Sequence, residues 1–160
     1  MSEAEKSDPR LQGAHRAATH GDFALAEQLL GEVLRDDAAS LLALDLLGFV
    51  QYFQGRPAEA EMACRRAIAI DPARAYSNKG LGLCLAKQGK VDEGLPFLKE
   101  ATRIAPDWFD PRWDMVVVLL EAGRYPAAFE ALAEAEAALP QHREKLSTLR
   151  LELARRSGLL

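Results

Sequence analysis

The residues of this chain that could do chemistry are three histidines, two cysteines and a few adjacent acids. His15 and His20 are five apart, so on a helix they do not share a face, and no nearby Cys or carboxylate completes a ligand set. His142 stands near the other end of the chain. Cys64 and Cys84 have neither a metal-motif spacing nor the pattern of a disulfide framework. Both fall in helix-like stretches, where a free cysteine serves as a small apolar packing residue. Asp36-Asp37 lies at a helix end or turn and is expected to be solvated. Gly80-Leu81-Gly82 sits inside a helical pattern, not after a strand, so it is no phosphate loop. Nucleophile motifs are absent as well. These residue types therefore argue against catalysis and imply no metal and no cofactor.

Composition narrows the class further. The 160 residues are 49% hydrophobic and 28% charged, a balance that folds rather than stays disordered. A length of that order suits one domain with a real core. Ala and Leu dominate and aromatics are only 7%, which favours helix over strand. The net charge of -4 gives no bulk reason to bind nucleic acid or an anionic membrane. No run of 18 apolar residues exists, so no membrane insertion is expected. The charged start, Met1-Ser2-Glu3-Ala4-Glu5-Lys6, is not a secretory signal, and the expected location is cytoplasmic. Residues 1–8 are expected to form a disordered tail ahead of a domain over 9–160.

The elements that must position everything else follow from one period. Gly21, Gly55, Gly89 and Gly123 recur every 34 residues, and Pro72, Pro106 and Pro140 each lie 17 after a glycine. Small residues follow the same lattice. Five after each glycine come Ala26, Ala60, Gly94 and Ala128; twelve after come Val33, Ala67, Ala101 and Ala135. Short side chains at fixed places set how closely two helices approach. The glycine ends one helix of each unit and the proline marks the end of the next. Helices are expected over 9–19, 23–36, 41–53, 57–70, 75–87, 91–104, 110–121 and 125–138. Gly94 and Pro96 suggest that 91–104 starts late or bends. A ninth helix over about 141–156 carries Leu146, Leu149 and Leu153 on one stripe and is expected to cap the stack.

These positions resemble the tetratricopeptide repeat. The best copy is Leu44, Leu47-Gly48, Gly55, Ala60, Ala67 and Asp71-Pro72, and Gln88-Gly89-Lys90-Val91-Asp92-Glu93 is similar to the family's turn. The resemblance covers residues 7–140 as units of about 7–40, 41–74, 75–108 and 109–142. It implies an all-α, right-handed superhelical solenoid of about four helix–turn–helix units with a C-terminal capping helix. It also implies a concave groove that holds peptide segments. The family's carboxylate clamp is not implied. In one frame its positions hold Asp45, Phe49, Gly80, Asp110 and Asp114; in the other they hold Leu11, His15, Leu46, Tyr76 and Gly80.

At 100° per residue, the face of each first helix that the repeat packing does not use is left for presentation. On the central units it carries Phe49, Tyr52, Phe53, Tyr76, Leu83, Trp113 and Val117, with Lys79 and Lys87 on one rim. Asp45, Asp110, Asp114, Leu120 and Glu121 share that face. An apolar, aromatic patch off the core marks a binding surface. The expected function is a non-catalytic adaptor or scaffold that holds another protein's segment there. The alternatives are a small secretion-type chaperone for hydrophobic segments, and self-association through the same wall.

Overall fold

A computed structural model describes residues 8–159. Of the expected N-terminal tail only Asp8 lies within the described residues; 1–7 fall outside them. The helices are α1 (Pro9–Thr19), α2 (Phe23–Asp36), α3 (Leu41–Phe53), α4 (Pro57–Ile70) and α5 (Ala75–Lys87). They continue as α6 (Val91–Ile104), α7 (Phe109–Glu121), α8 (Tyr125–Ala138) and, after a 3₁₀ turn at Pro140–His142, α9 (Arg143–Arg156). The described residues hold no strand.

One local device repeats at each hairpin. Gly21, Gly55, Gly89 and Gly123 take φ of 79°, 75°, 81° and 71°, a conformation that a side chain disfavours. The residue after each glycine then donates its N–H to a carbonyl five back, at 2.9 Å all four times: Asp22 to Ala17, Arg56 to Gln51, Lys90 to Leu85 and Arg124 to Leu119. These bonds satisfy carbonyls that the helix end would otherwise leave free. Side-chain caps support the first helices: Asp8 accepts from the Arg10 N–H, Asp22 from Leu25 and Ser40 from Ala43.

The lattice of small residues is the packing surface. Ala26, Ala60, Ala67, Ala101 and Ala128 are fully buried between helices. The closest approach is between α5 and α6. A Cβ on Gly94 would stand 2.6 Å from the Gly82 carbonyl oxygen, and one on Gly82 would stand 2.7 Å from Leu98 Cγ. Gly94 therefore does not delay the helix, which starts at Val91. It lets two backbones touch where an alanine pair could not. Pro96 and Asp92 are both exposed, so the carbonyl that this proline leaves without a helical donor faces water.

Each helix packs on the next, and α1, α3, α5 and α7 also contact one another in sequence. No such contact of comparable extent joins α2, α4, α6 and α8 in series. The stack therefore curves with the odd-numbered helices inside, as a right-handed superhelical solenoid. At its end Leu146, Leu149 and Leu153 of α9 are buried in one cluster with Val116, Leu119 and Leu132. That stripe closes the last hairpin, as its spacing implies.

Candidate functional site: the concave cleft

The inner faces of α3, α5 and α7 enclose a cleft of about 1000 Å³. It is lined by eight of the nine residues expected to meet a partner: Phe49, Tyr52, Phe53, Tyr76, Lys79, Leu83, Lys87 and Val117. They converge because every one lies on an inner helix. The wall from α3 is an aromatic group. Phe49 and Phe53 are one turn apart with ring centroids 4.5 Å from each other, and Tyr52 meets Phe53 edge-on at 5.5 Å. Phe53 is 59% exposed, a large ring with no core role.

Trp113 is not part of that cleft. It packs on Phe109, centroids 5.6 Å apart, and lines a smaller hollow of about 370 Å³ beside Lys145 and Thr148 of α9. That hollow shares Lys79, Asp110 and Asp114 with the central cleft, so Trp113 adjoins the cleft at its α9 end. On the other side, a hollow of about 740 Å³ between α1 and α3 has an apolar floor of Leu11, Leu42 and Leu46 with Arg16 beside it. Asp45 and Tyr76 border both this hollow and the central cleft, so the concave face is continuous from α1 to α7.

The charges on this face are more internally paired than the helical projection suggests. Asp45 is 8% exposed and is not part of any acidic rim. Arg74 donates to its Oδ2 at 2.6 Å from Nε and 2.5 Å from Nη2, and Ser77 Oγ donates to Oδ1 at 2.5 Å. Burial pushes its carboxyl above the usual carboxylate range, against the pull of Arg74 and Ser77. Leu120 is likewise buried. Lys79 is not a free rim cation: its Nζ lies 3.5 Å from Asp114 Oδ2 and 3.9 Å from Asp110 Oδ2. It also sits 5.8 Å from the Tyr76 centroid and 5.1 Å from that of Trp108. Those two rings lie almost parallel, 13° apart with centroids separated by 6.1 Å.

Trp108 and Arg74 are absent from the presented faces read off the sequence. Each is the residue just before an inner helix, in the turn after the proline. They occupy equivalent places on the 34-residue lattice, one step apart, and that correspondence is the signal that could have found them.

The two cysteines line the same cleft yet are almost wholly buried. The Cys64 thiol is pushed well up, chiefly by the Cys84 thiol beside it and then by burial. A nucleophilic thiol needs the opposite shift. Among the described residues no cluster of three or more His, Cys, Asp or Glu could hold a metal ion, and no helix is long and apolar enough to cross a membrane.

Two tetratricopeptide-repeat family models match the chain, one over residues 11–75 and the other over 53–118. The chain belongs to the tetratricopeptide-repeat family. No curated protein matches it significantly. Solved tetratricopeptide-type structures do. A mutant O-GlcNAc transferase from Thermobaculum terrenum is similar at 26% identity and a TM-score of 0.76, over 86% of this chain. This chain spans only 27% of that transferase. TTC0263, a thermophilic TPR protein of Thermus thermophilus, is 22% identical with a TM-score of 0.75, covering 92% of this chain and 82% of its own. A MamA fragment from Desulfovibrio magneticus RS-1 is 18% identical with a TM-score of 0.73, covering 81% and 73%. These two share the fold. A tetratricopeptide-repeat fold is in general a scaffold for protein–protein interaction.

Proposed function

We propose that the protein is a non-catalytic adaptor whose central cleft holds a segment of another protein. One observation carries this reading. The aromatic group Phe49–Tyr52–Phe53 faces an open cleft that also collects Tyr76, Leu83 and Val117; Phe49, Leu83 and Val117 rest on the core, while Phe53 and Tyr76 stay exposed. Exposed aromatic anchors in a concave surface are the usual source of interface free energy. The tetratricopeptide division into four units plus a cap, one domain over 9–160, is part of the same reading. Two free, buried cysteines suit a reducing compartment, which supports a cytoplasmic site of action.

The test uses a random peptide library displayed on phage. Peptides selected by the wild type should lose binding to Phe53→Asp and Phe49→Asp, with the far-UV CD spectrum unchanged. Binding that survives both substitutions moves the site off this wall. Light scattering after size exclusion covers self-association: a monomer at every concentration excludes it, and a dimer broken by Phe53→Asp would make the occupant a second copy. A secretion-type chaperone would co-purify with an apolar substrate that is insoluble alone.

A further inference from the structure

The cleft has an unbalanced charge on one wall. Asp110 and Asp114 lie one turn apart on α7 and share a single ammonium, that of Lys79, at 3.9 and 3.5 Å. Asp114 Oδ2 is buried against the Lys79 ammonium at a long 3.5 Å, and the rest of the Asp114 side chain opens to the cleft. Two carboxylates served by one ammonium leave a net negative charge that an incoming cation offsets. Burial also pushes the Asp114 carboxyl above its usual range, and Lys79 only partly offsets that. Seven residues on, Glu121 extends the same face of α7 into the cleft, is exposed, and makes no ion pair among the described residues. Tyr76 of α5 also lines the cleft, and Lys79 already sits over its ring and that of Trp108.

We propose, on the reading that the cleft binds a protein segment, that this segment presents an arginine to Asp114 and Asp110, flanked by large apolar side chains. The guanidinium supplies what the site lacks. Its planar fork can give one N–H to the exposed edge of the Asp114 carboxylate and another to Asp110, while its face lies on Tyr76. A lysine would add only a second point charge beside Lys79. The flanking apolar side chains meet Phe49 and Phe53 on one wall and Leu83 and Val117 on the other. Lys79 and Lys87 offset part of the charge of Asp110, Asp114 and Glu121, and the remainder disfavours an acidic segment.

The displayed peptide library tests this with the full chain. Wild type should enrich arginine between large apolar residues. The Asp110→Asn, Asp114→Asn double variant, with an unchanged CD spectrum, should keep the apolar preference and lose the arginine. In fluorescence polarisation, a selected peptide should bind that variant about tenfold more weakly. Replacing its arginine by citrulline should weaken wild-type binding similarly and leave variant binding unmoved. Raised salt should weaken the arginine peptide more than the citrulline one. Selected peptides that are apolar without arginine, or arginine peptides that bind the double variant as well as wild type, overturn the proposal while leaving the cleft as the site. Peptides unaffected by Phe53→Asp remove the underlying reading instead.

Discussion

Asp45 and Lys79 are the same residue of the repeat, one 34-residue step apart, yet they solve the junction between inner helices in opposite ways. At the α3–α5 junction the acid is buried and meets two donor groups, Arg74 and Ser77, which fully occupy it. At the α5–α7 junction the base is shared by two acids, at long distances of 3.5 and 3.9 Å. The residue before the inner helix follows suit. Arg74 closes the first junction with a charge, whereas Trp108 closes the second with an aromatic face over Lys79. One junction is closed by two donors on one acid, and at the other a single ammonium serves two acids. A repeat lattice fixes the backbone at both places and leaves the side chains free to make one structural and the other functional.

The largest expected effect breaks the finished junction. Arg74→Met leaves the Asp45 carboxylate buried beside Ser77 alone, and removing one partner of a buried pair costs about 3 kcal/mol. Urea unfolding should show that loss of stability; a change no larger than that of an exposed ion pair would mean that Asp45 is solvated after all. Next comes Gly94→Ala. Its Cβ would stand 2.6 Å from the Gly82 oxygen, so α5 must shift, and α5 carries residues of both junctions. Overpacking should outweigh the gain in helix propensity and cost about 2 kcal/mol. Wild-type stability in that variant would show that the two helices have slack.

The smallest effect is a pH dependence tied to the acid of the α5–α7 junction. The Asp114 carboxyl titrates above its ordinary value of 3.8 in the folded chain, so the folded state holds that proton more tightly. The stability tied to the protonated form is full below 3.8 and is lost as pH rises through the raised value. Asp114→Asn removes this dependence. The variant should match wild type in acid and exceed it by about 1 kcal/mol at neutral pH, since a buried carboxylate held only by a long contact to Lys79 has gone. A variant less stable than wild type at neutral pH would show that Lys79 already satisfies the acid.

The contrast also shows how far a sequence can be read. The bounds of α1 to α6 and of α8 follow from glycine, proline and alanine positions, because those residues act on their own backbone or on the adjacent helix. α7 begins one residue early, at Phe109, and α9 waits behind a 3₁₀ turn that Pro140 starts. Eight of the nine residues expected on this surface line the cleft for the same reason: a helical projection gives the face. What it cannot give is what a neighbouring turn brings to that face. Asp45 looks like a rim acid until Arg74 arrives from the turn before α5. Lys79 looks like a free cation until Asp110 and Asp114 arrive from α7. Trp113 lies on the presented face of its own helix, in an adjoining hollow that the non-repeating helix α9 helps to line.

The most direct measurement is the map of backbone amide shifts when a library-selected peptide is added to ¹⁵N-labelled protein. The perturbed amides should cluster on α3, α5 and α7, with Phe53, Leu83 and Asp114 among them, while α2, α4, α6 and α8 are little changed. Shifts concentrated on the outer helices, or spread evenly along the stack, would contradict the claim that the concave cleft is the binding site.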